Sequence, residues 1–105
     1  MPGLFDTYEV RGVTLPNRVV LAPMAQWSAE PDGQANRWHL VHYGTRAVGG
    51  AGLVLMEGAN IDPTARGGVD NLGVWEDAQI APLAEIVDFC HDQGVKMGIQ
   101  LSHGG

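Results

Sequence analysis

Several polar side chains stand where chemistry could be done. His39 and His42 are three residues apart, a spacing that puts two imidazoles on one helix face. Such a pair could suggest a metal site, but no cysteine or carboxylate cluster accompanies it. A packing or solvent role is expected for both rings, and no metal site is expected. Glu57 closes an apolar run. It reads either as a buried, functionally placed acid or as a strand-end group bonded to backbone. Arg66 sits in a long loop, where it could contact substrate, a phosphate or a neighbouring loop, or be solvated. Gln100 comes late in another apolar run, where by itself it reads as an ordinary strand-end polar residue. Trp27 and Trp75 could line a pocket or simply pack. Gly49-Gly50-Ala51-Gly52 is glycine-rich, but it follows a helical pattern and precedes a strand pattern. A dinucleotide fingerprint needs the opposite order.

The run Leu15-Pro16-Asn17-Arg18-Val19-Val20-Leu21-Ala22-Pro23-Met24 reads as a turn, a short apolar strand and an abrupt break. Pro23 has no ladder donor and forces the chain out of a sheet. A buried strand ending in a small-residue loop is where parallel α/β folds place a ligand.

The 105 residues allow one small domain with a modest core. Apolar residues make up 45% of the chain, which argues against disorder. The net charge of −6, from 12 acids against 6 bases, argues against a nucleic-acid or anionic-membrane surface, since both need a basic patch. Cys90 is the only cysteine, so no internal disulfide can form. Its place on the apolar face of a helical pattern suits a structural thiol, and a reducing, cytoplasmic compartment is expected. Met1 to Asp6 lack the basic and apolar regions of a signal peptide. No apolar stretch approaches the roughly 18 residues that span a membrane.

Residues 8–15 alternate around Arg11-Gly12 and predict a hairpin with a two-residue turn. Residues 18–21 predict a short strand. Residues 25–34 are polar with a Pro31-Asp32-Gly33 turn, and predict a long strand-to-helix loop of the kind that carries binding groups. Leu40, Tyr43, Gly44 and Ala47 follow helical spacing, which predicts a helix over about 36–48, stopped by Gly49-Gly50. Residues 53–57 form a near-continuous apolar run, suited to a parallel strand covered on both faces. Another long loop is expected over 58–74. Leu83, Ile86, Val87 and Cys90 share one apolar face of a second helix over about 80–93. Asp77 lies near its start, Pro82 fits only a first turn, and Gly94 is placed to end it. A third strand is expected over 96–101.

Long strand-to-helix loops and short helix-to-strand returns indicate a parallel sheet with right-handed crossovers. That asymmetry is the TIM-barrel pattern, with the site at the C-terminal ends of the strands. The expected class is therefore α/β: the N-terminal part of a (β/α)8 barrel preceded by a β-hairpin. Three barrel strands alone would leave an unpaired edge and an apolar face open. The sequence is accordingly expected to be one segment, residues 1–105, of a longer single domain, or to pair with other pieces.

The chain also resembles the Old Yellow Enzyme family of flavin-dependent ene-reductases over essentially its whole length. The resemblance lies in Leu4-Phe5, Thr14 to Arg18, Ala22-Pro23-Met24, Trp38 to Tyr43, and Arg46-Ala47. It continues through Gly52 to Gly58, Pro63 to Gly67, Leu72 to Trp75, and Gly94 to Gly105. Order and spacing carry it more than any one motif, and the bacterial xenobiotic-reductase and NADPH-dehydrogenase branch is the best match.

This resemblance implies FMN as cofactor and NADPH or NADH as hydride donor, with a small-molecule substrate such as an activated alkene. It implies that Ala22, Pro23, Met24 and Ala25 form the flavin-facing loop, contacting FMN largely through backbone. Gly58 resembles the small residue beside the flavin ring after the second strand. Gln100 resembles the glutamine that hydrogen-bonds the pyrimidine edge of the ring. Relatives in this branch often carry cysteine at the place of Ala25, where it tunes the flavin potential. They often carry tyrosine at the place of Trp27, which makes Trp27 a substrate-pocket candidate. The substrate-binding histidine pair or His/Asn pair, the proton donor and the phosphate-binding residues would follow residue 105. No catalytic residue is therefore expected here, and His103 is not the substrate histidine by position. Expected partners are the remainder of the barrel or a complementary chain, and further copies at full length. A tRNA dihydrouridine synthase, another FMN barrel with an "APM" strand end, is the competing enzyme reading, and a non-catalytic barrel fragment is the other.

Overall fold

A computed structural model describes residues 1–105. The chain runs β1 (Tyr8–Val10), β2 (Val13–Leu15), β3 (Val20–Leu21), α1 (Arg37–Val48), β4 (Leu53–Asn60), α2 (Ile80–Asp92) and β5 (Lys96–Ser102). Single 3₁₀ turns occupy Pro63–Ala65 and Asp77–Gln79. β1 and β2 pair antiparallel. Arg11 and Gly12 join them with φ of 47° and 84°, both in the left-handed region that matches hairpin twist. β3, β4 and β5 form a parallel sheet in that order.

Three boundaries differ from the sequence expectation. The strand expected at 18–21 forms its ladder only over Val20–Leu21, because the Arg18 and Val19 amides are bonded elsewhere. The Arg18 amide donates to the Leu4 carbonyl at 2.8 Å, and its guanidinium donates to the Thr7 carbonyl at 3.1 Å while lying 4.9 Å from the Tyr8 ring centre. The strand expected at 53–57 continues to Asn60. Its extension is held by the Asn60 amide donating to the Leu72 carbonyl and the Val74 amide donating to the Asn60 carbonyl, both at 2.9 Å. Gly58 therefore lies inside a strand and not after one. β5 gains one residue, Ser102, which pairs with Asn60.

Helix α1 begins at a capping box. The Asn36 side chain accepts from the Trp38 amide at 3.0 Å, and the Asn36 amide donates back to Nδ1 of His39 at 3.0 Å. Glutamate or glutamine usually fills that second position. Gly50, at φ 102°, follows the helix end. Helix α2 takes Pro82 in its first turn, where no amide donor is needed, and is terminated by Gly94 at φ 82°. Tyr43 and Ala47 of α1, Val54 and Met56 of β4, and Ile86 and Cys90 of α2 form the centre of the core. Each of the larger side chains contributes about 1.5–3 kcal/mol through burial. No helix is long and apolar enough to cross a membrane.

The N-terminal ends of the strands are locked by Asn17. Its side-chain amide donates to the Gly50 carbonyl at 2.7 Å, and its Oδ1 accepts from the Val19 amide at 2.9 Å. Gly52 packs so closely on this residue that a Cβ would stand 2.6 Å from the Asn17 backbone oxygen. Gly52→Ala must push the two segments apart. It is expected to cost about 1–3 kcal/mol of stability, measured as a lowered urea midpoint at unchanged slope.

Candidate functional site

The parallel order brings the C-terminal ends of β3, β4 and β5 to one rim. From β3 the chain leaves through Ala22, Pro23, Met24 and Ala25, of which all but Pro23 are exposed. Trp27 follows with φ of 48° and an indole 67% exposed. A tryptophan in the left-handed region carries backbone strain, which persists only where the surroundings impose it. Gln26 supplies that restraint. Its Nε2 donates to the Met24 carbonyl at 2.9 Å, and its Oε1 accepts from the Trp38 indole at 3.1 Å.

At β4 and β5 the register slips. Met56 faces Ile99, but Ala59 faces Leu101, so Glu57 and Gly58 together oppose Gln100. This is a bulge, a device that re-aims side chains at a sheet end. The exposed Gln100 amide comes to rest beside Gly58, where a Cβ would lie 3.2 Å from Gln100 Oε1. The structure thus places Gly58 and Gln100 side by side. The Ala22–Ala25 loop joins the same rim through Gln26, whose amide donates to Glu57 Oε2 at 3.3 Å.

Behind the rim is a buried polar cluster. Glu57 is 1% exposed. Its Oε1 accepts from the Tyr43 hydroxyl at 2.6 Å, and its own amide donates back to that hydroxyl at 2.9 Å. His39 Nε2 stands 3.7 Å from Glu57 Oε1, an ion-pair distance too long for a hydrogen bond. Of the two roles open to Glu57 in the sequence, the structure supports a buried acid that also bonds backbone. Burial, reinforced by the bond to Glu57, pushes the Tyr43 phenol far above its usual range, so it serves as a fixed donor. Burial lowers the His39 pKa, against an opposing pull from Glu57 and Glu30. His42 is lowered too, first by burial and then by the Arg46 charge. The His42 ring packs edge-on against Tyr43 and stacks with Trp38. No group of three or more His, Cys, Asp or Glu side chains stands where it could hold a metal ion.

Arg66 is a loop organiser. Its guanidinium donates to the carbonyls of Pro31, Glu30 and Asn71 and lies 5.0 Å from the Trp75 ring centre. Trp75 packs on Gly33 and Gly73, where a Cβ would collide with its ring. Cys90 is fully buried, and burial raises its thiol pKa. Sequence reasoning did not single out Tyr43, Gln26 or Trp38 as parts of the rim. One signal was present: Tyr43 follows His39 by four residues, and so shares its helix face.

The sequence model of the NADH:flavin oxidoreductase / NADH oxidase family matches residues 3–105. The chain belongs to this family. Its solved relatives include Old Yellow Enzyme family members. Morphinone reductase in complex with tetrahydroNAD is 41% identical, covers 100% of this chain and 28% of that one, and superposes with a TM-score of 0.91. The old yellow enzyme homologue from Zymomonas mobilis (NCR) is 31% identical over 97% of this chain and 28% of its own, with a TM-score of 0.89. The old yellow enzyme from Trypanosoma cruzi is 34% identical over 97% of this chain and 27% of its own, with a TM-score of 0.87. This Old Yellow Enzyme family chain therefore spans just over a quarter of the length of these relatives. Its sheet and helices correspond to part of their barrel.

The two lowered histidines set a pH dependence. As pH falls through about 6.5, the unfolded chain takes up a proton on each ring. The folded chain does so only at lower pH, so stability is complete above that value and declines below it. His39→Gln keeps a side-chain acceptor for the Asn36 amide and removes one titration. Urea unfolding of this variant between pH 7 and pH 5 is expected to show a decline shallower by up to about 1.4 kcal/mol per pH unit.

Proposed function

We propose that this chain is the N-terminal section, residues 1–105, of the single (β/α)8 domain of an FMN-dependent oxidoreductase of the ene-reductase type. Bound FMN would supply hydride transfer from NADPH or NADH to an activated alkene such as an α,β-unsaturated carbonyl. The residues present fit a flat ring at the strand ends. Gly58 leaves a side-chain-free shelf, and the Gln100 amide stands over it with a donor and an acceptor to offer. That juxtaposition carries the reading. Backbone groups of Ala22, Pro23, Met24 and Ala25 would close one side, held in place by a proline and by Gln26. The exposed Trp27 indole would form a wall of the substrate pocket with an N–H as its only polar group. Ala25 brings no thiol to the flavin. No residue of this chain is assigned a catalytic role. The groups that polarise the substrate and hold the cofactor phosphate belong to the remaining strands, and further copies of the full-length protein are its expected partners. A reducing, cytoplasmic setting suits the lone buried Cys90.

Two measurements test this. Mixed with FMN and NADPH, the chain is expected to bleach the yellow flavin absorbance only when the rest of the barrel is supplied. Bleaching by neither mixture would refute the assignment. In the completed protein, Gln100→Ala is expected to weaken FMN binding about 10-fold through the lost hydrogen bonds. Gly58→Leu, which fills the shelf, should weaken it more. Unchanged affinity in both variants would place the ring elsewhere.

A further inference from the structure

The buried carboxylate under the rim has a role that the flavin contacts themselves do not include. We propose that Glu57 is a positioning residue: gripped by Tyr43, it holds the Gln26 amide and so sets the shape of the loop from Ala22 to Trp27. The inference rests on the reading of that loop as the cofactor-facing one.

Both carboxylate oxygens are occupied by different elements. Oε1 takes the Tyr43 hydroxyl of α1 at 2.6 Å, and Oε2 takes the Gln26 amide of the β3–α1 loop at 3.3 Å. Tyr43 in turn accepts from the Glu57 amide at 2.9 Å, so hydroxyl and carboxylate fix each other. The His39 ring closes the third side at 3.7 Å. All three side chains are buried, and a carboxylate in such a place keeps its donors only in one arrangement. The bulge is what delivers Glu57 to this point, since the extra residue in β4 lets Glu57 and Gly58 face Gln100 together.

The consequence is local. Gln26 is restrained at four atoms: its amide by Glu57, its Nε2 by the Met24 carbonyl, its Oε1 by the Trp38 indole, and its carbonyl by the Ser28 hydroxyl. On one side of it lies the exposed Ala22–Ala25 stretch. On the other lies Trp27, held at φ 48° with its indole outward. A strained tryptophan needs such a clamp on its neighbour to stay in place. Only the amide bond of this clamp comes from the sheet. Through it, the strand that carries Gly58 also dictates where the β3 loop stands.

Amide exchange in the full-length protein, without flavin, tests the clamp directly. In Glu57→Ala, exchange at Gln26 and Trp27 is expected to accelerate about 10-fold or more, while the β4–β5 ladder at Met56 and Ile99 stays as protected as before. Glu57→Gln keeps one acceptor oxygen for two donors, so its protection at Gln26 is expected to fall between those of wild type and Glu57→Ala. FMN affinity should follow the same order, lowest in Glu57→Ala and intermediate in Glu57→Gln. Unchanged exchange at Gln26 in Glu57→Ala overturns the proposal. So does acceleration spread evenly through β4 and β5, which would show a role in overall stability alone. If Glu57→Ala does not fold, Tyr43→Phe decides, because it frees the carboxylate without removing it. Selective acceleration at residues 26–27 then supports the clamp, and none or a uniform change refutes it. A wild-type protein that shows the protection but binds no FMN would instead sink the functional reading and leave the clamp standing.

Discussion

A carboxylate taken out of water must find partners within the fold, and Glu57, carried on β4, sits where α1 and the β3 loop can both supply them. Its bonds to Tyr43 and Gln26 span 14 and 31 residues of sequence. The rim depends on that requirement more than on any single apolar contact. Apolar packing tolerates small slides between strands and helices, whereas a buried acceptor left without a donor costs about 1–3 kcal/mol. The polar cluster therefore turns an approximate juxtaposition of elements into a specific one.

The two ends of the sheet are built by different means. At the N-terminal ends, Asn17 and Arg18 spend their polar groups on nearby carbonyls and an aromatic ring, which ties the hairpin and the α1–β4 turn to the sheet. At the C-terminal ends, the long loops are organised from behind by Arg66 and Gln79, whose bonds go to backbone carbonyls and amides. Ala22, Met24, Trp27 and Gln100 remain exposed in front of them. The C-terminal ends of the strands are where barrel proteins carry their sites.

Much of the framework was legible from local pattern. The alternation of strand and helix, the stop at Gly94, the first-turn Pro82 and the buried Cys90 all follow from period, propensity and backbone restriction, which act over a few residues. The end of β4 was not legible. Gly58 looks like a strand terminator in the sequence, yet Leu72, Val74 and Ser102 carry the ladder on to Asn60. Arg66 shows the same limit. A lone arginine in a glycine-rich loop has no local signature for its partners, and three carbonyls from two loops decided its role.

By itself the sequence determined which segments are strands and helices, which faces are apolar, and that the small-residue break after β3 lies at the sheet's C-terminal end. Those properties are fixed by side-chain periodicity and by the backbone limits of proline and glycine. Only the tertiary structure decided the bulge at Glu57–Gly58, the closeness of Gly58 to Gln100, and the grip of Tyr43 and Glu57 on Gln26. Each depends on register and on contacts between residues far apart in the chain, and such contacts exist only once the sheet and α1 have packed together.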